Sequence, residues 1–349
     1  MHIPSVLPLA LGIIIFSFFI TSIFVVPFID LLYKINFTRR REGVTRNKSL
    51  FDKLHDKKAG TPIGGGILIL SIVSILFLII FPLLYKVGVV VESSFNLGNE
   101  LFIIFFSFLS FGLLGVLDDF VKIFGKVQGP GSSAFGLTRN QKFIIQWILG
   151  FIIGFLLYNK LGISYIYVPI IKLTFHMGLL FIPFAAFVIV FFANAFNFTD
   201  GLDGLASGLL VIYLIAYIVI AATNLDTPVF LFVALWIGSL LSFLYFNIWP
   251  ARIFLGDTGS LAFGSTIAVV GLLVGNVPTL FVVGGIFVIE AASSAIQIIG
   301  IKFFKRKIFP LAPIHHTFLA IGWEEPKIVM RAWIAGIVLA IFGLWLALI

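Results

Sequence analysis

The stretch LTFHMGLLFIPFAAFVIVFFANAFNFTDGLDGLASG, residues 173–208, combines the two properties that decide the fold of this chain. Its first 27 residues, up to Thr199, contain no Asp, Glu, Lys or Arg. About 20 such residues cross the hydrocarbon layer of a bilayer as one helix. Asp200 and Asp203 follow directly, before a second uncharged run begins at Gly204. The stretch therefore predicts two membrane helices joined by a short acidic connection.

The composition extends this prediction to the whole chain. The 349 residues are 60% hydrophobic and only 11% charged, with a mean hydropathy of +1.17, whereas about 25% of the residues in a soluble domain are charged. Lipid permits only helices or closed barrels, and a barrel would alternate apolar and polar residues. The continuous apolar runs thus predict an all-α polytopic membrane protein. Because cysteine is absent, disulfides and cysteine metal sites are excluded.

Ten spans account for the apolar sequence. Seven uncharged runs lie at 3–29, 59–85, 101–117, 143–159, 173–199, 204–225 and 227–251. The next run, 258–301, contains only Glu290 as a charged residue, and the turn-forming sequence GNVP at 275–278 divides it into two spans. Residues 332–349 form the tenth. We expect one integral-membrane bundle over residues 1–349, with its first run retained as a span.

The cations predict the orientation of this bundle. Lys and Arg in short connections are retained on the cytoplasmic side, and with ten spans one side holds 20 of the 23 cations. Both termini should therefore be external, and the net charge of +8 should lie mainly on the cytoplasmic face. This charge can serve orientation alone, or it can also attract anionic phosphates.

Five of the fifteen acidic residues lie at the cytoplasmic ends of different spans, in three separate connections: Asp118, Asp119, Asp200, Asp203 and Asp257. Converging carboxylates need a cation, and hard oxygen ligands favour Mg²⁺, with Mn²⁺ as the alternative. Because Mg²⁺ usually shares its coordination shell with substrate phosphates, the group indicates phosphoryl chemistry. Each acid taken singly can instead be a solvated helix end.

Neighbouring residues have two interpretations each. Lys122, four residues after Asp118, can form an ordinary salt bridge or hold a phosphate. Gly256 and Gly259 flank Asp257 and allow close backbone approach to a ligand.

Two further motifs lie in basic connections. In KKAGTPIGGG, at residues 57–66, the lysines can contact phosphate, while the glycines can simply permit helix packing. His315 and His316 are adjacent, a spacing that argues against a zinc pair. They fit contact with a pyrophosphate or sugar, or else an interfacial position beside lipid headgroups.

The motifs together resemble those of the phospho-N-acetylmuramoyl-pentapeptide transferases, within the polyprenyl-phosphate N-acetylhexosamine-1-phosphate transferase superfamily. The matching segments, in family order, are KKAGTPIGGG, LDDFVK, GLTRNQK, NAFNFTDGLDGLASG, FNIWPARIFLGDTGSLAFG, IEAASSAIQ and APIHHTF followed by GWEEPKIVMRAW. The resemblance implies ten membrane helices in the bacterial cytoplasmic membrane, external termini, a cytoplasm-facing site and, in many members, a homodimer.

The resemblance also implies a Mg²⁺-dependent reaction in peptidoglycan synthesis. A phosphosugar would pass from UDP-N-acetylmuramoyl-pentapeptide to undecaprenyl phosphate, giving lipid I and UMP. The exchange of one phosphoanhydride for another leaves the protein mainly to align groups and neutralise charge. Membrane lipid is the expected environment, and no nucleic-acid partner is expected.

Residues at matching positions acquire implied roles. Asp257 resembles the principal Mg²⁺ ligand, Asp118 and Asp119 resemble acids that position metal and lipid phosphate, and Phe254 resembles a uracil-stacking ring. The other expected site residues are His315 and His316 in the catalytic group, Asn194, Asn197, Asp200, Gly201, Leu202, Asp203 and Asn247 near the donor, and Lys57, Lys58, Lys122 and Lys142 at phosphates.

One departure keeps an alternative open. Family members usually carry three histidines followed by Phe-Glu, whereas Thr317 and Leu319 replace the third His and the Glu here. A relative that uses a UDP-N-acetylhexosamine without peptide is therefore the second hypothesis. A secondary transporter is the third, although transporter sites lie near mid-bilayer and these acids are predicted at span ends.

Overall fold

The computed structural model describes residues 6–39, 58–87, 92–125, 138–223 and 226–349. These residues contain twelve α-helices, of which ten are long and apolar enough to cross a membrane. The ten are α1 (Val6–Lys34), α2 (Gly65–Lys86), α3 (Leu97–Phe124), α4 (Arg139–Leu161), α5 (Phe181–Thr199), α6 (Leu205–Thr223), α7 (Thr227–Asn247), α8 (Gly256–Leu273), α10 (Gly285–Phe304) and α12 (Glu325–Leu348). The predicted polytopic helical architecture is confirmed.

Two short helices complete the set, α9 (Val277–Val283) and α11 (Ile314–Ala320). The predicted break at 275–278 is present because Gly275 adopts a φ of 78°, a conformation that suits glycine. The side chain of Asn276 then accepts a hydrogen bond from the Thr279 backbone N–H at 3.2 Å and caps α9. The apolar run 258–301 is therefore divided as expected.

A small β-hairpin lies between α4 and α5, and its second strand occupies the first residues of the predicted span 173–199. Strand β1 (Tyr165–Val168) pairs antiparallel with β2 (Leu173–His176). A 3-10 turn at Gly178–Leu180 then leads into α5. The prediction of one span from 173 is thus wrong in its first residues, because aromatic and β-branched side chains on both strands favour extended pairing.

Two helices also extend further than predicted and include charged residues that were expected in connections. Asp118, Asp119 and Lys122 lie on the last turns of α3 rather than in a connection. Asp257 lies in the first turn of α8. An uncharged run measures the apolar part of a helix, and the helix itself can continue past the bilayer boundary.

Helix α8 is the most enclosed of the ten, because 89% of its residues are buried inside the protein. Its close contact with α3 depends on Gly115, where an added Cβ would lie 2.3 Å from the carbonyl oxygen of Asp257. Glycine at this crossing lets the two backbones approach. The crossing therefore brings Asp257 of α8 beside the acids at the end of α3.

Candidate active site

Four charged side chains form a closed cluster where α3, α4 and α8 meet. The Lys122 Nζ lies 2.9 Å from Asp118 Oδ2 and 2.7 Å from Asp257 Oδ2. The Lys142 Nζ lies 2.8 Å from the same Asp118 oxygen and also contacts Asp257 Oδ2. We call Asp118, Lys122, Lys142 and Asp257 the charge cluster. Its two carboxylates share the same two lysine ammonium groups, and its formal charges cancel.

The start of α4 fixes where Lys142 enters this cluster. Thr138 and Gln141 form a capping box, in which the Thr138 Oγ1 accepts from the Gln141 backbone and the Gln141 Oε1 accepts from the Thr138 backbone. A capping box satisfies otherwise unpaired N–H groups and defines the first turn of a helix. Lys142 follows directly on that turn.

Asp119 has a different set of partners from Asp118. Its Oδ1 accepts from the Asp257 backbone N–H at 2.9 Å, and its Oδ2 accepts from the Thr258 backbone N–H at 2.9 Å and hydroxyl at 2.8 Å. The carboxylate therefore caps α8 from a neighbouring helix, where a negative charge is favourable. Gly256 makes room for it, because its φ is 80° and an added Cβ would lie 2.7 Å from Asp119 Oδ2.

The sequence motif before α2 holds the segment before α8. The carbonyl oxygen of Phe254 accepts from the backbone N–H groups of Gly64 at 3.1 Å and Gly65 at 2.9 Å. The Phe254 N–H donates to the Pro62 carbonyl at 2.8 Å. These bonds fix the Phe254 backbone, and the Arg39 guanidinium lies 5.7 Å from the centre of its ring.

The acidic connection between α5 and α6 contains two carboxylates with different surroundings. Asp203 is buried, and it accepts from the Lys58 Nζ at 2.5 Å and from the Ala251 backbone N–H at 2.9 Å. Glu325 binds the same Lys58 at 2.5 Å and accepts from the Asp203 backbone N–H at 2.6 Å. Asp203 is thus held in an ion-pair network that joins three parts of the chain.

Asp200 is half-buried and lies near the charge cluster. Burial raises the pKa of its carboxyl group to about 7, and the Asp257 charge adds to the rise. The charges of Arg39 and Lys58 act in the opposite direction. The side chain can therefore change charge near neutral pH.

The two histidines are buried on α11. His315 Nδ1 lies 2.9 Å from Glu290 Oε2, and both side chains are nearly inaccessible. The Nε2 atom of His315 is buried without a hydrogen-bond partner among the described residues. An added Cβ at Gly201 would lie 2.4 Å from that atom. Gly201 therefore permits the His315 ring to reach the connection between α5 and α6, while Glu290 holds the opposite side of the ring.

The departures at 317 and 319 have distinct places in the structure. The Thr317 hydroxyl donates to the Leu311 carbonyl oxygen. Leu319 lines a cavity of about 640 Å³ together with His316, Trp323 and Trp249. We call this the side cavity. Thr317 thus supports the loop before α11, and Leu319 makes one cavity wall apolar.

Two other cavities border the charge cluster. The central cavity, about 530 Å³, is lined by charged residues that include Asp200, Asp257 and Lys122, and by the ring of Phe254. The lateral groove, about 650 Å³, has aromatic walls from Phe143, Trp147, Phe187 and Phe191. Lys142 and Asn197 also line the groove, and Asn197 borders the central cavity as well. The contact between Lys142 and Asp257 therefore joins a polar cavity to an apolar groove.

The cavities separate the predicted site residues into groups. The central cavity gathers most of them: Lys58, Asp119, Lys122, Asn197, Asp200, Gly201, Leu202, Asp203, Asn247, Phe254 and Asp257. Asn194 lies in the lateral groove instead, where its Nδ2 donates to Gln146 Oε1 at 2.6 Å. His316 lines the side cavity. Lys57 lies outside the described residues.

Asn247 has its polar atoms engaged within the protein. It accepts from the Ser207 hydroxyl at 2.5 Å and donates to the Ile253 carbonyl at 2.9 Å. These bonds stabilise the segment before α8.

Sequence reasoning missed four residues that the structure brings to this region: Arg39, Gln146, Glu290 and Glu325. Glu290 carried a signal, because it is the one charged residue in the run 258–301 and charges inside spans are usually functional. The other three had no distinguishing pattern.

The predicted metal ligands were Asp118, Asp119 and Asp257. No group of three His, Cys, Asp or Glu side chains suited to a metal ion occurs in the described part of the chain. Asp118 and Asp257 nevertheless direct their Oδ2 atoms at the same two lysine ammonium groups. Two carboxylates completed by phosphate oxygens and water suit Mg²⁺. Both oxygens of Asp119 already accept hydrogen bonds, and its role as a metal ligand stays a prediction.

Comparisons with known proteins identify the family. Residues 101–275 match the model of glycosyl transferase family 4. The chain is 35% identical over 336 residues to the phospho-N-acetylmuramoyl-pentapeptide-transferase of Oceanobacillus iheyensis, an alignment that covers 95% of this chain and 96% of the relative. Identity to the enzyme of the same name from Geobacillus sp. is 36% over 336 residues, covering 95% and 96%. For that of Bacillus subtilis it is 35% over 295 residues, covering 84% and 86%. The chain belongs to glycosyl transferase family 4 and to the phospho-N-acetylmuramoyl-pentapeptide-transferases.

Proposed function

We propose that this membrane protein transfers phospho-N-acetylmuramoyl-pentapeptide from its UDP donor to undecaprenyl phosphate, forming lipid I and releasing UMP. One structural observation supports this function in addition to family membership. The charge cluster lies between the polar central cavity and the apolar lateral groove, and Lys142 of the groove contacts Asp257 of the cavity. Such a junction suits a reaction between a water-soluble diphosphate and a lipid-borne phosphate.

The central cavity receives the nucleotide end of the donor. Phe254 offers a ring for the uracil base, and aromatic stacking combines a large apolar contact with a defined geometry. Asp200, Gly201 and Leu202 line this cavity as well. Lys122 of the charge cluster faces the donor diphosphate, since it lines this cavity.

The lateral groove receives the acceptor lipid. Its aromatic walls suit an isoprenoid chain, and Lys142 at its polar end attracts the phosphate. Helix α4 carries both the cation and two of the aromatic walls, Phe143 and Trp147. The acceptor would thus reach the charge cluster from within the membrane, without leaving the bilayer.

The chemistry is an exchange between two phosphoanhydrides. An oxygen of the acceptor phosphate forms a bond to the β-phosphorus of the donor, and the bond from that phosphorus to the bridging oxygen breaks. The bridging oxygen keeps the electron pair and leaves on UMP. We favour this direct displacement over a covalent aspartyl intermediate, because Asp118 and Asp257 are each held by two lysines and Asp119 caps α8.

Within this mechanism the protein mainly aligns reactants and offsets charge. Alignment of two bound groups can supply about 7–11 kcal/mol of the barrier reduction. Asp119 maintains Asp257 at the start of α8, and Glu290 maintains His315 below Gly201. These two contacts are therefore positioning interactions rather than steps in bond formation.

Mg²⁺ is the ion we propose for this site, with Asp257 and Asp118 as its protein ligands. The convergence of their Oδ2 atoms on the same two ammonium groups supports the assignment. When bound, Mg²⁺ supplies charge neutralisation at phosphoryl oxygens. The cytoplasmic orientation of the site and the external termini also belong to the proposal, and the distribution of Lys and Arg supports them.

The test is an assay with purified protein, Mg²⁺ and undecaprenyl phosphate, in which each UDP-sugar is supplied separately. UDP-N-acetylmuramoyl-pentapeptide should give UMP and a lipid-linked diphosphate whose mass contains the sugar and the peptide. Lipid product from a UDP-N-acetylhexosamine, without product from the muramoyl donor, would replace the proposal with the second hypothesis. Solute uptake into reconstituted vesicles without UMP release would instead favour the transporter.

A further inference from the structure

The lateral groove contains a polar pair among its aromatic walls. Gln146 is only 1% exposed yet lines the groove on α4. Its Oε1 accepts from the Asn194 Nδ2 at 2.6 Å, and the same Nδ2 donates to the Val190 carbonyl at 2.8 Å. Burial of amide groups at membrane depth is unfavourable unless they are satisfied. The pair therefore requires an explanation that packing alone does not give.

Half of the Gln146 amide remains unused. Its Nε2 amino group has no hydrogen bond to any residue in the described ranges. The Nε2 atom is not fully enclosed, and Gln146 lines the lateral groove. A buried N–H₂ group that faces a groove can donate two hydrogen bonds to a ligand. The unused donors thus identify the kind of atom expected there, a hydrogen-bond acceptor.

The position of Gln146 relative to Lys142 specifies the ligand further. The two residues are four apart on α4 and lie on one face of that helix. Because α4 begins at Arg139 beside the charge cluster, Gln146 is one turn deeper along the groove. An acceptor whose phosphate contacts Lys142 would present its lipid-side oxygens toward Gln146.

The product of the proposed reaction also needs a hydrogen-bond donor at this depth of the groove. Transfer to a lipid phosphate gives a diphosphate in which the original acceptor phosphate is nearer the lipid. That phosphate must remain deeper in the groove than the transferred one. A neutral donor one turn below Lys142 can bind it without adding a second buried charge.

We propose that Gln146 binds the phosphate of the polyprenyl acceptor, which becomes the lipid-proximal phosphate of the product. The Gln146 Nε2 donates to an oxygen of this phosphate, and Asn194 holds the amide in place. This inference rests on the proposed function, since it names a residue for the acceptor half of that reaction. It assigns Gln146 to acceptor recognition, and donor binding should not depend on it.

Two substitutions separate this role from packing. Gln146→Glu retains an oxygen that can accept from Asn194 but replaces the N–H₂ donor with an oxygen that repels phosphate. Gln146→Leu removes both polar groups at similar volume. Asn159→Leu is the matched control, because Asn159 is an exposed amide at the other end of α4.

The experiment measures initial rates in nanodiscs with undecaprenyl phosphate varied at saturating donor, and then the reverse. Loss of a hydrogen bond to a charged group corresponds to roughly a 10-fold to 100-fold effect. We expect Gln146→Leu to raise the acceptor KM by about 10-fold, and Gln146→Glu to raise it further. Donor KM should stay within about twofold of wild type in both variants, and Asn159→Leu should change neither constant.

Three results would contradict the proposed role of Gln146. An unchanged acceptor KM in Gln146→Glu would overturn it, as would an equal rise in donor KM. A fall in the thermal unfolding midpoint of Gln146→Leu, with an unchanged acceptor KM, would assign the pair to packing alone. Failure of the proposed function is distinguishable, because wild-type protein would then form no lipid-linked product from any UDP-sugar.

Discussion

Replacement of Glu290 by Gln tests whether a buried carboxylate controls the His315 ring. The substitution conserves shape but removes the charge that accepts from His315 Nδ1 at 2.9 Å. A hydrogen bond to a charged group contributes about 1.5–3 kcal/mol, which corresponds to roughly a 10-fold to 100-fold change in rate. Because the carboxylate lies behind the ring and lines none of the three cavities described, kcat should fall by that factor while donor KM changes by less than about threefold.

A double-mutant cycle makes the expectation specific to the pair. Glu290→Gln, His315→Ala and the double variant are compared by UMP release at saturating substrates. If Glu290 acts through His315, the double variant should be no slower than the slower single variant. Rate losses that multiply would refute the positioning role, because the two residues would then act independently.

Glu100→Gln is the matched control for burial of a glutamate in a span. Glu100 is fully buried at the opposite end of the bundle and accepts from the Ser93 hydroxyl at 2.5 Å. Its replacement should leave kcat near the wild-type value, since it is in the first turn of α3 and distant from the acids on the last turns. Thermal unfolding of each variant in detergent identifies any general loss of folding.

Three further predictions address other parts of the site. Phe254→Ala should raise donor KM about 10-fold or more with a smaller change in kcat, as expected for a lost aromatic contact, and an unchanged donor KM would exclude uracil stacking. Asp257→Ala should lower kcat by at least about 10²-fold at saturating Mg²⁺, and near-normal turnover would remove it from the metal site. Asp200→Asn should stabilise the protein more at pH 8 than at pH 5, because the folded-state pKa of about 7 lies above the ordinary aspartate pKa of 3.8 and the folded protein loses stability as pH rises between them. Unfolding midpoints measured without Mg²⁺ would contradict this if the benefit of Asn were equal at both pH values.

The sequence predicts the fold well because the membrane imposes a simple physical rule. A long apolar run requires a helix, and nine runs, one of them divided by a turn, predicted the ten spans that the described residues contain. The convergence of Asp118, Asp119, Asp200 and Asp257 was also predictable, since cations assign their connections to one face. The structure bears out this convergence, although Asp118 and Asp119 lie on α3 itself.

The roles of individual acids were less predictable, because they depend on how helices cross. Asp118 and Asp119 are neighbours in sequence, yet one contacts two lysines and the other caps α8. Their different directions follow from the helical turn and from the approach of α8 at Gly115. No pattern within LDDFVK distinguishes the two carboxylates.

Contacts between distant segments were beyond sequence reasoning for the same reason. Glu290 and His315 belong to different helices, and their pairing depends on how the loop before α11 returns to α10. That return is held by Gln297, whose side chain binds the backbone of Ile308 and Phe309. Each link requires tertiary geometry that residue spacing does not specify.

The most direct test of the central claim is the position of the acceptor phosphate. A structure should be determined with a short-chain polyprenyl phosphate and UDP bound together. We predict that the phosphate contacts the Lys142 Nζ at the polar end of the lateral groove, with the isoprenoid chain between Phe143 and Phe187. A phosphate bound away from Lys142, or a chain outside the groove, would contradict the meeting of the two substrates at the charge cluster.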